Sequence, residues 1–454
     1  MSDPARLAAY DTLRAVSSRD AYANLVLPQI LARAHLRGRD AALATELAYG
    51  TLRHRGTYDA ILATLVTRRG GRRQDPLSSL DPPVLDALRL GAHQLLRTRI
   101  PPHAAVSETV ALARKVLGHG PASLVNAVLR RVARRDHDGW VAEVAPPRDT
   151  DPVGHLAVAH AHPEWVVRGF AEALGDGGDV EALLRADNEP ADVVVCARPG
   201  LCEPAEIPGV PGLLSPYAVT VHGDPGDLAP VREGRAGVQD EGSQLVALAL
   251  ARAEVPPLAG RDREVWLDAC AGPGGKAALL GALANGRGAV LVAAERRHRR
   301  SRLVQGALAP LPNATAVTAD AGAGPWRDAS FDRVLVDAPC SGLGSLRRRP
   351  EARWRRDPDD VRTLTGVQER LLRAALAAVR PGGVVAYATC SPLLSETSEL
   401  VARVTGDNRS TAPVDVRSLL TEVGDLGPGP WVQLWPHLHG TDAMFVALLR
   451  RTDT

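Results

Sequence analysis

The stretch Val265-Trp-Leu-Asp-Ala-Cys-Ala-Gly-Pro-Gly-Gly-Lys276 constrains this chain more than any other. It reads as a short apolar strand, an acid, a glycine-rich turn and the start of a helix. Glycine permits positive φ and a close approach of backbone to a ligand. A helix opening after such a turn offers unpaired N–H groups at its positive dipole end. This is the nucleotide-binding turn of an α/β domain. A Walker loop is excluded, because neither Ser nor Thr follows Lys276 and the glycine spacing differs. Lys276 is itself informative: the chain has only two lysines, Lys115 and Lys276, among 54 basic residues. A lysine kept at the end of the turn, where arginine has been preferred elsewhere, points to a need for a compact ammonium there.

The residues after the turn alternate strand and helix. Ala289-Val-Leu-Val-Ala-Ala ends at Glu295, Thr315-Ala-Val-Thr ends near Asp320, and Phe331-Asp-Arg-Val-Leu-Val-Asp337 ends in an acid. A helix over 361–379 and the turn Pro381-Gly-Gly lead to Val384-Val-Ala-Tyr-Ala388. This repeat predicts a mainly parallel sheet with helices on both faces. Its strand-end acids would gather at the carboxyl edge, where such sheets bind ligands. Glu295 stands 20 residues after Gly275, the offset of a ribose-binding acid, and Asp320 can accept from an adenine amino group. The plainer reading of each acid is a cap for the loop or helix that follows.

Residues 4–135 read as helices throughout, with Leu7, Tyr10, Leu13 and Val16 at helical spacing. The net charge of +2 hides an asymmetry: residues 1–140 hold 21 Lys+Arg against 12 Asp+Glu, and the remainder 33 against 40. A basic helical domain favours a polyanionic partner. The segments Ala48-Tyr-Gly-Thr-Leu-Arg53, Leu88-Arg-Leu-Gly-Ala-His-Gln-Leu-Leu96, His103-Ala-Ala-Val-Ser-Glu108 and Leu124-Val-Asn-Ala-Val-Leu-Arg130 resemble the antitermination factor NusB, an RNA-binding helical bundle. Arg6 and Arg14 of the first helix are candidates for RNA contact or for a solvated face, and Gly70-Gly-Arg-Arg73 reads as a basic loop. A Pro- and His-rich linker is expected over 141–164 and a small α+β subdomain over 165–240. These precede a catalytic domain over 241–454.

Five cysteines with no C-x-x-C pair argue against a disulfide frame or a zinc site, and no metal is expected. Neither a membrane-spanning run nor a signal-peptide core is found, so the chain is expected to be cytoplasmic. Cys196 and Cys202 read as ordinary buried or loop thiols. Cys340, in Asp337-Ala-Pro-Cys-Ser-Gly342, and Cys390, in Tyr387-Ala-Thr-Cys-Ser391, do not: each leaves a strand at the same edge of the sheet. Two thiols beside an acid suit chemistry on a base. C5 of cytosine is a poor nucleophile, but a thiolate added to C6 turns the ring into an enamine whose C5 attacks a methyl sulfonium. The acid stabilises the adduct near N3 and N4, and a second thiol can assist as base in release.

These motifs resemble the RsmB-type RNA cytosine-C5 methyltransferases. With the NusB-like domain in front, the resemblance covers nearly the whole chain. It includes Gln239-Asp-Glu-Gly-Ser-Gln244, Leu346-Arg-Arg-Arg-Pro-Glu-Ala-Arg-Trp-Arg-Arg356 and Pro436-His-Leu-His-Gly-Thr-Asp442. It implies a Rossmann-like α/β methyltransferase domain behind an all-α RNA-binding domain, and ribosomal RNA of the small subunit as substrate for a monomeric enzyme. It implies S-adenosylmethionine on Cys270, Ala271, Gly272, Pro273, Gly274, Gly275, Lys276, Glu295, Asp320 and Asp337. Cys390 would be the nucleophile, Cys340 the release thiol, and Asp337 would also face the cytosine. DNA cytosine methyltransferases attack instead with the Cys of their Pro-Cys motif, here Cys340, and chemistry alone leaves the order of the two thiols open. The same catalysis on tRNA or DNA, and a non-catalytic RNA-binding protein, are the competing readings. The arginine stretch 347–356 is either a solvated face or a phosphate track, with Trp354 able to stack on a base.

Overall fold

The computed structural model describes residues 3–66, 76–406 and 410–452. The basic loop expected at Gly70–Arg73 lies outside the described residues. The chain divides into two compact units, one of residues 1–189 with 346–355, the other of 190–345 with 356–454. No helix among the described residues is long and apolar enough to cross a membrane.

The first unit is all helical. Its central helix, Pro82–Arg97, begins with two prolines, whose fixed φ suits a first turn. Around it pack Pro4–Arg19, Gly38–Arg53, Arg55–Val66, Pro102–Leu117 and His119–Val132. The expected spacing holds: Tyr10, Leu13 and Val16 are buried in one apolar core with Leu47, Leu88 and Leu129. Arg6 and Arg14 are turned to internal use. Arg6 donates to Gln94 Oε1 at 2.7 Å and Arg14 to Asp86 at 2.7 Å, so both tie the first helix to the central one.

Two sequence expectations are corrected here. The linker expected over 141–164 is largely helical, with His137–Val144, Pro152–Ala159 and the start of Glu164–Leu174. Asp136 and Asp151 cap the first two of these helices, a signal that the Pro and His content obscured. Part of the arginine stretch is also turned inward and does not form a solvated face or open track, while Arg349 stays exposed. Arg353 is wholly buried and donates to the carbonyls of Arg53, Ala161 and Asp187 and to Asn188 Oδ1. Burial holds this guanidinium down at about 9. Trp354 packs on Gly56, where a Cβ would fall 2.5 Å from the indole. Arg355 donates to the Ala21 carbonyl and lies over the Tyr22 ring. Residues 346–355 are thus a strap of the helical unit.

The second unit carries two sheets. Its strands are β1 (Val193–Ala197), β2 (Val210–Pro211), β3 (Ala218–Val221), β4 (Ala236–Val238), β5 (Val265–Asp268), β6 (Val290–Glu295), β7 (Ala314–Thr318), β8 (Phe331–Asp337), β9 (Val379–Thr389), β10 (Thr411–Val414), β11 (Val432–Gln433) and β12 (Phe445–Arg451). The first four form a small antiparallel sheet of order β2-β3-β1-β4. The large sheet has the order β10-β12-β9-β8-β5-β6-β7, with β11 on β12. From β9 to β7 every pairing is parallel, and β12 runs antiparallel against β9 and β10. The chain reverses its winding between β6 and β8, on either side of β5, and such a switch point opens a crevice at the carboxyl edge. Buried ion pairs fix the opposite edge: Asp332 takes Arg380 at 2.6 Å, and Arg333 donates to Glu264 at 2.7 Å.

Removing the Arg353 side chain leaves buried acceptors unsatisfied, which costs about 3 kcal/mol. Arg353→Ala is therefore expected to lower the unfolding midpoint markedly, while exposed Arg349→Ala leaves it unchanged. Equal midpoints for the two variants in a denaturant titration would contradict the strap.

Candidate active site

The glycine turn joins β5 to the helix Gly275–Asn285 at the switch point. Its backbone is pinned to both neighbouring strands: the Ala269 N–H donates to the Leu335 carbonyl at 2.8 Å and the Ala271 N–H to the Ala294 carbonyl at 2.9 Å. Gly274 has φ +119°, and a Cβ on it would fall 2.6 Å from Ala307 Cβ, so helix packing requires glycine. At Gly272 a Cβ would fall 2.0 Å from Glu295 Oε2. The carboxylate at the end of β6 therefore sits directly on the turn. Ala271 is buried, Pro273 and Gly275 are exposed, and Gly275 opens the helix.

The strand-end acids follow one pattern. Asp268 Oδ1 accepts from the Cys270 N–H at 3.2 Å, Glu295 Oε1 from the Arg297 N–H at 2.8 Å, and Asp320 Oδ1 from the Gly322 N–H at 3.0 Å. Each carboxylate thus caps the backbone two residues on, as the plainer reading held, with one oxygen only. The second oxygen of Asp268 is buried without a partner among the described residues. Burial, and then the charge of Asp337, raise this carboxyl to about 7. An unpartnered buried acceptor, a glycine cradle closed by Glu295 and a free-standing helix start fit a nucleoside cofactor with hydroxyl and ammonium donors. Cys270 is half-buried; burial and then Asp268, Asp337, Glu295 and Asp320 hold its thiol well above the ordinary range, so it stays protonated.

The thiol side of the site lies on the other flank of β5. Strands β8 and β9 are parallel neighbours with Asp337 opposite Ala388. The loops that leave them bring Cys340 Sγ to 3.4 Å from Cys390 Sγ. Lys276 Nζ donates to Asp337 Oδ2 at 3.0 Å and to Ser243 Oγ at 3.1 Å. Burial pulls this ammonium down, but Asp337 and Cys390 more than offset it and hold it above the ordinary lysine value. The turn lysine, expected among the cofactor contacts, thus has its ammonium on Asp337 and under the influence of Cys390. Cys340 is held well above the ordinary thiol range, first by its hydrogen bond with Cys390, then by burial, then by the charges of Cys390 and Glu396. Either sulfur can donate in that bond.

Two residues that the sequence reading missed hold this arrangement. Glu396, fully buried, accepts from the Ser341 N–H at 2.8 Å, Ser341 Oγ at 2.5 Å, Ser391 Oγ at 2.6 Å and Gln368 Nε2 at 2.9 Å. One carboxylate so ties together the residues that follow the two cysteines. Their shared Cys-Ser order was the only trace of this in the sequence. Gly344 donates its N–H to the Cys390 carbonyl at 2.9 Å and accepts from the Ala443 N–H at 2.8 Å. A Cβ there would fall 2.3 Å from the Ala443 oxygen. The terminal motif closes the ring: the Asp442 N–H donates to Asp240 Oδ1 at 3.1 Å.

The Asp268 carboxyl makes stability depend on pH. Its folded pKa of about 7 lies above its unfolded value, so the folded state holds a proton that the unfolded state has released. Stability of the cofactor-free protein from this group is full below about pH 4 and falls as pH rises through about 7, by roughly 4 kcal/mol in all. Asp268→Asn is expected to remove that fall, read as the difference between the two proteins in urea titrations at pH 5 and pH 8. Parallel pH dependences would contradict it.

Comparison with known proteins bears on the same elements. Residues 255–450 match the family described as 16S rRNA methyltransferase RsmB/F, and residues 3–134 match the NusB family. A Mycobacterium tuberculosis protein with a general methyltransferase name is 53% identical over 99% of this chain and 97% of its own. Ribosomal RNA small subunit methyltransferase B of Pseudomonas putida is 33% identical over 92% of each chain. Among solved structures, that of PH0851 superposes with a TM-score of 0.78 at 19% identity, covering 99% of both chains, which shows the shared fold. The chain belongs to the RsmB/F family of methyltransferases, with S-adenosylmethionine as methyl donor and a NusB-family domain at its N-terminal end.

Proposed function

We propose that this chain methylates C5 of an unpaired cytosine in small-subunit ribosomal RNA, with Cys390 as nucleophile. The observation that carries the reading is the pair of sulfurs 3.4 Å apart beside the Lys276–Asp337 ion pair. A single buried thiol is usually a small hydrophobe. Two in hydrogen-bond contact beside an ammonium and a carboxylate suit a covalent adduct at cytosine C6. Ribosomal RNA is favoured because the relatives named as small-subunit RNA methyltransferases share both domains with this chain.

The electrostatics favour a division of labour. Lys276 stands near Cys390, where an ammonium favours a thiolate, while the thiol of Cys340 is held above its ordinary range. Sγ of Cys390 adds to C6, and the electron pair moves to C5. The glycine turn, Asp268, Glu295 and Asp320 would hold S-adenosylmethionine, which would supply a methyl group to C5 and leave as the thioether S-adenosylhomocysteine. Asp337, held by Lys276, accepts from the cytosine amino edge. The C5 proton then leaves to a solvent base, the double bond re-forms, and Cys390 departs as a thiolate. The raised thiol of Cys340 suits it to hydrogen-bond that leaving sulfur. The base must be unpaired or flipped to reach two thiols at the sheet edge.

Purified protein incubated with labelled S-adenosylmethionine and unmodified small-subunit ribosomal RNA is expected to form 5-methylcytosine. Cys390→Ala abolishes transfer, and Cys340→Ala accumulates a denaturation-resistant protein–RNA adduct. Trapping by Cys390→Ala instead would reverse the thiols. Transfer to tRNA or DNA but not to this RNA would overturn the substrate.

A further inference from the structure

Residues 296–302 read Arg-Arg-His-Arg-Arg-Ser-Arg, five arginines and a histidine in seven positions. They follow Glu295 at the carboxyl end of β6 and enter the helix His298–Leu308. Ser301 is turned inward, and the six basic residues are exposed. Two of them have partners in the fold. Arg300 donates to the Gly272 carbonyl at 2.6 Å and lies 3.3 Å from Glu295 Oε2, and His298 Nδ1 is 3.4 Å from Thr318 Oγ1. Among the described residues, Arg296, Arg297, Arg299 and Arg302 make no side-chain hydrogen bond or ion pair.

This island differs from an ordinary solvated face in two respects. The chain beyond residue 140 is acidic in balance, with 33 Lys+Arg against 40 Asp+Glu, yet here the positive charges stand together. The helix also has no acid in its first turn. Like charges therefore repel one another and oppose the dipole, and the Glu295 carboxylate, which pairs with Arg300, offsets only part of this. An external polyanion supplies the missing counter-charge, and planar guanidinium groups match phosphate oxygens two at a time.

We infer that the 296–302 surface binds backbone phosphates of the RNA substrate, on the cofactor side of the carboxyl edge. The inference rests on the RNA-methyltransferase reading above. Strand β6 is three places from β9 in the sheet, about 14 Å at ordinary strand spacing. RNA with its target base at the thiols can therefore lay flanking phosphates on these arginines. Phosphate contacts position the strand without reading its sequence, so the patch sets affinity and not the choice of base.

The test uses the full chain with Arg296→Gln, Arg299→Gln and Arg302→Gln combined. Arg300 is kept because it touches the glycine turn. Fluorescence anisotropy with an unmodified small-subunit ribosomal RNA fragment, at several salt concentrations, compares it with wild type. The expected result is binding about tenfold weaker near physiological salt, with a log K against log salt slope shallower by about two. Binding of S-adenosylmethionine, and kcat at saturating RNA, are expected to be unchanged. The thermal midpoint is expected at or above that of wild type, since repulsion is relieved. Equal affinity and equal slope in the two proteins would overturn the patch while leaving the RNA reading in place. Failure of wild type to bind or methylate the RNA would overturn both.

Discussion

Cys340 and Cys390 meet because β8 and β9 run parallel with Asp337 opposite Ala388, so the loops leave the sheet at one level. Parallel pairing alone would leave those loops free to diverge. Glu396 prevents this by accepting from Ser341 and Ser391 at once, and Gly344 lets a third strand of backbone pass against Cys390 without a clash. A buried carboxylate with four donors is well satisfied, and losing any one of them would leave a costly charge in the interior. The rigidity of the thiol pair therefore follows from a polar network, in a region where the sequence offers mostly small and apolar residues.

The same network makes the two thiols unequal. Cys390 has the Lys276 ammonium on its side, and Cys340 has the Glu396 carboxylate on its own. Cys270, on the far flank of β5, is surrounded by carboxylates and remains a thiol. Three cysteines at one sheet edge thus sit in three electrostatic settings, two of which hold the thiol above its ordinary range. On this account the lone lysine of the catalytic unit is retained because it must reach both Asp337 and the thiol, which a bulkier guanidinium would do with different geometry.

The layout of the catalytic sheet was legible in the sequence because apolar runs, strand-end acids and the glycine turn carry strong local signals. The acids at 268, 295 and 320 are caps of the backbone two residues on, and Asp268 keeps its second oxygen buried without a partner among the described residues. The strap at 346–355 was misread, because an arginine run looks like a solvated surface when the carbonyls that receive it come from distant residues such as Arg53 and Ala161. Glu396 escapes a sequence reading for the same reason: Leu394-Ser-Glu-Thr397 has the look of a polar turn, and its donors Ser341 and Gln368 are 55 and 28 residues away. The helical run from 152 onward reads as a linker in the sequence because proline and histidine mask its cap, Asp151.

The inequality of the thiols is the central claim, and selective alkylation measures it directly. Wild-type protein treated briefly with limiting iodoacetamide near neutral pH, then digested and analysed by mass spectrometry, gives the modification of each cysteine. The account expects Cys390 to be labelled first, and Cys340 and Cys270 much more slowly. Faster labelling of Cys340 than of Cys390 would contradict it and make the Pro-Cys thiol the nucleophile.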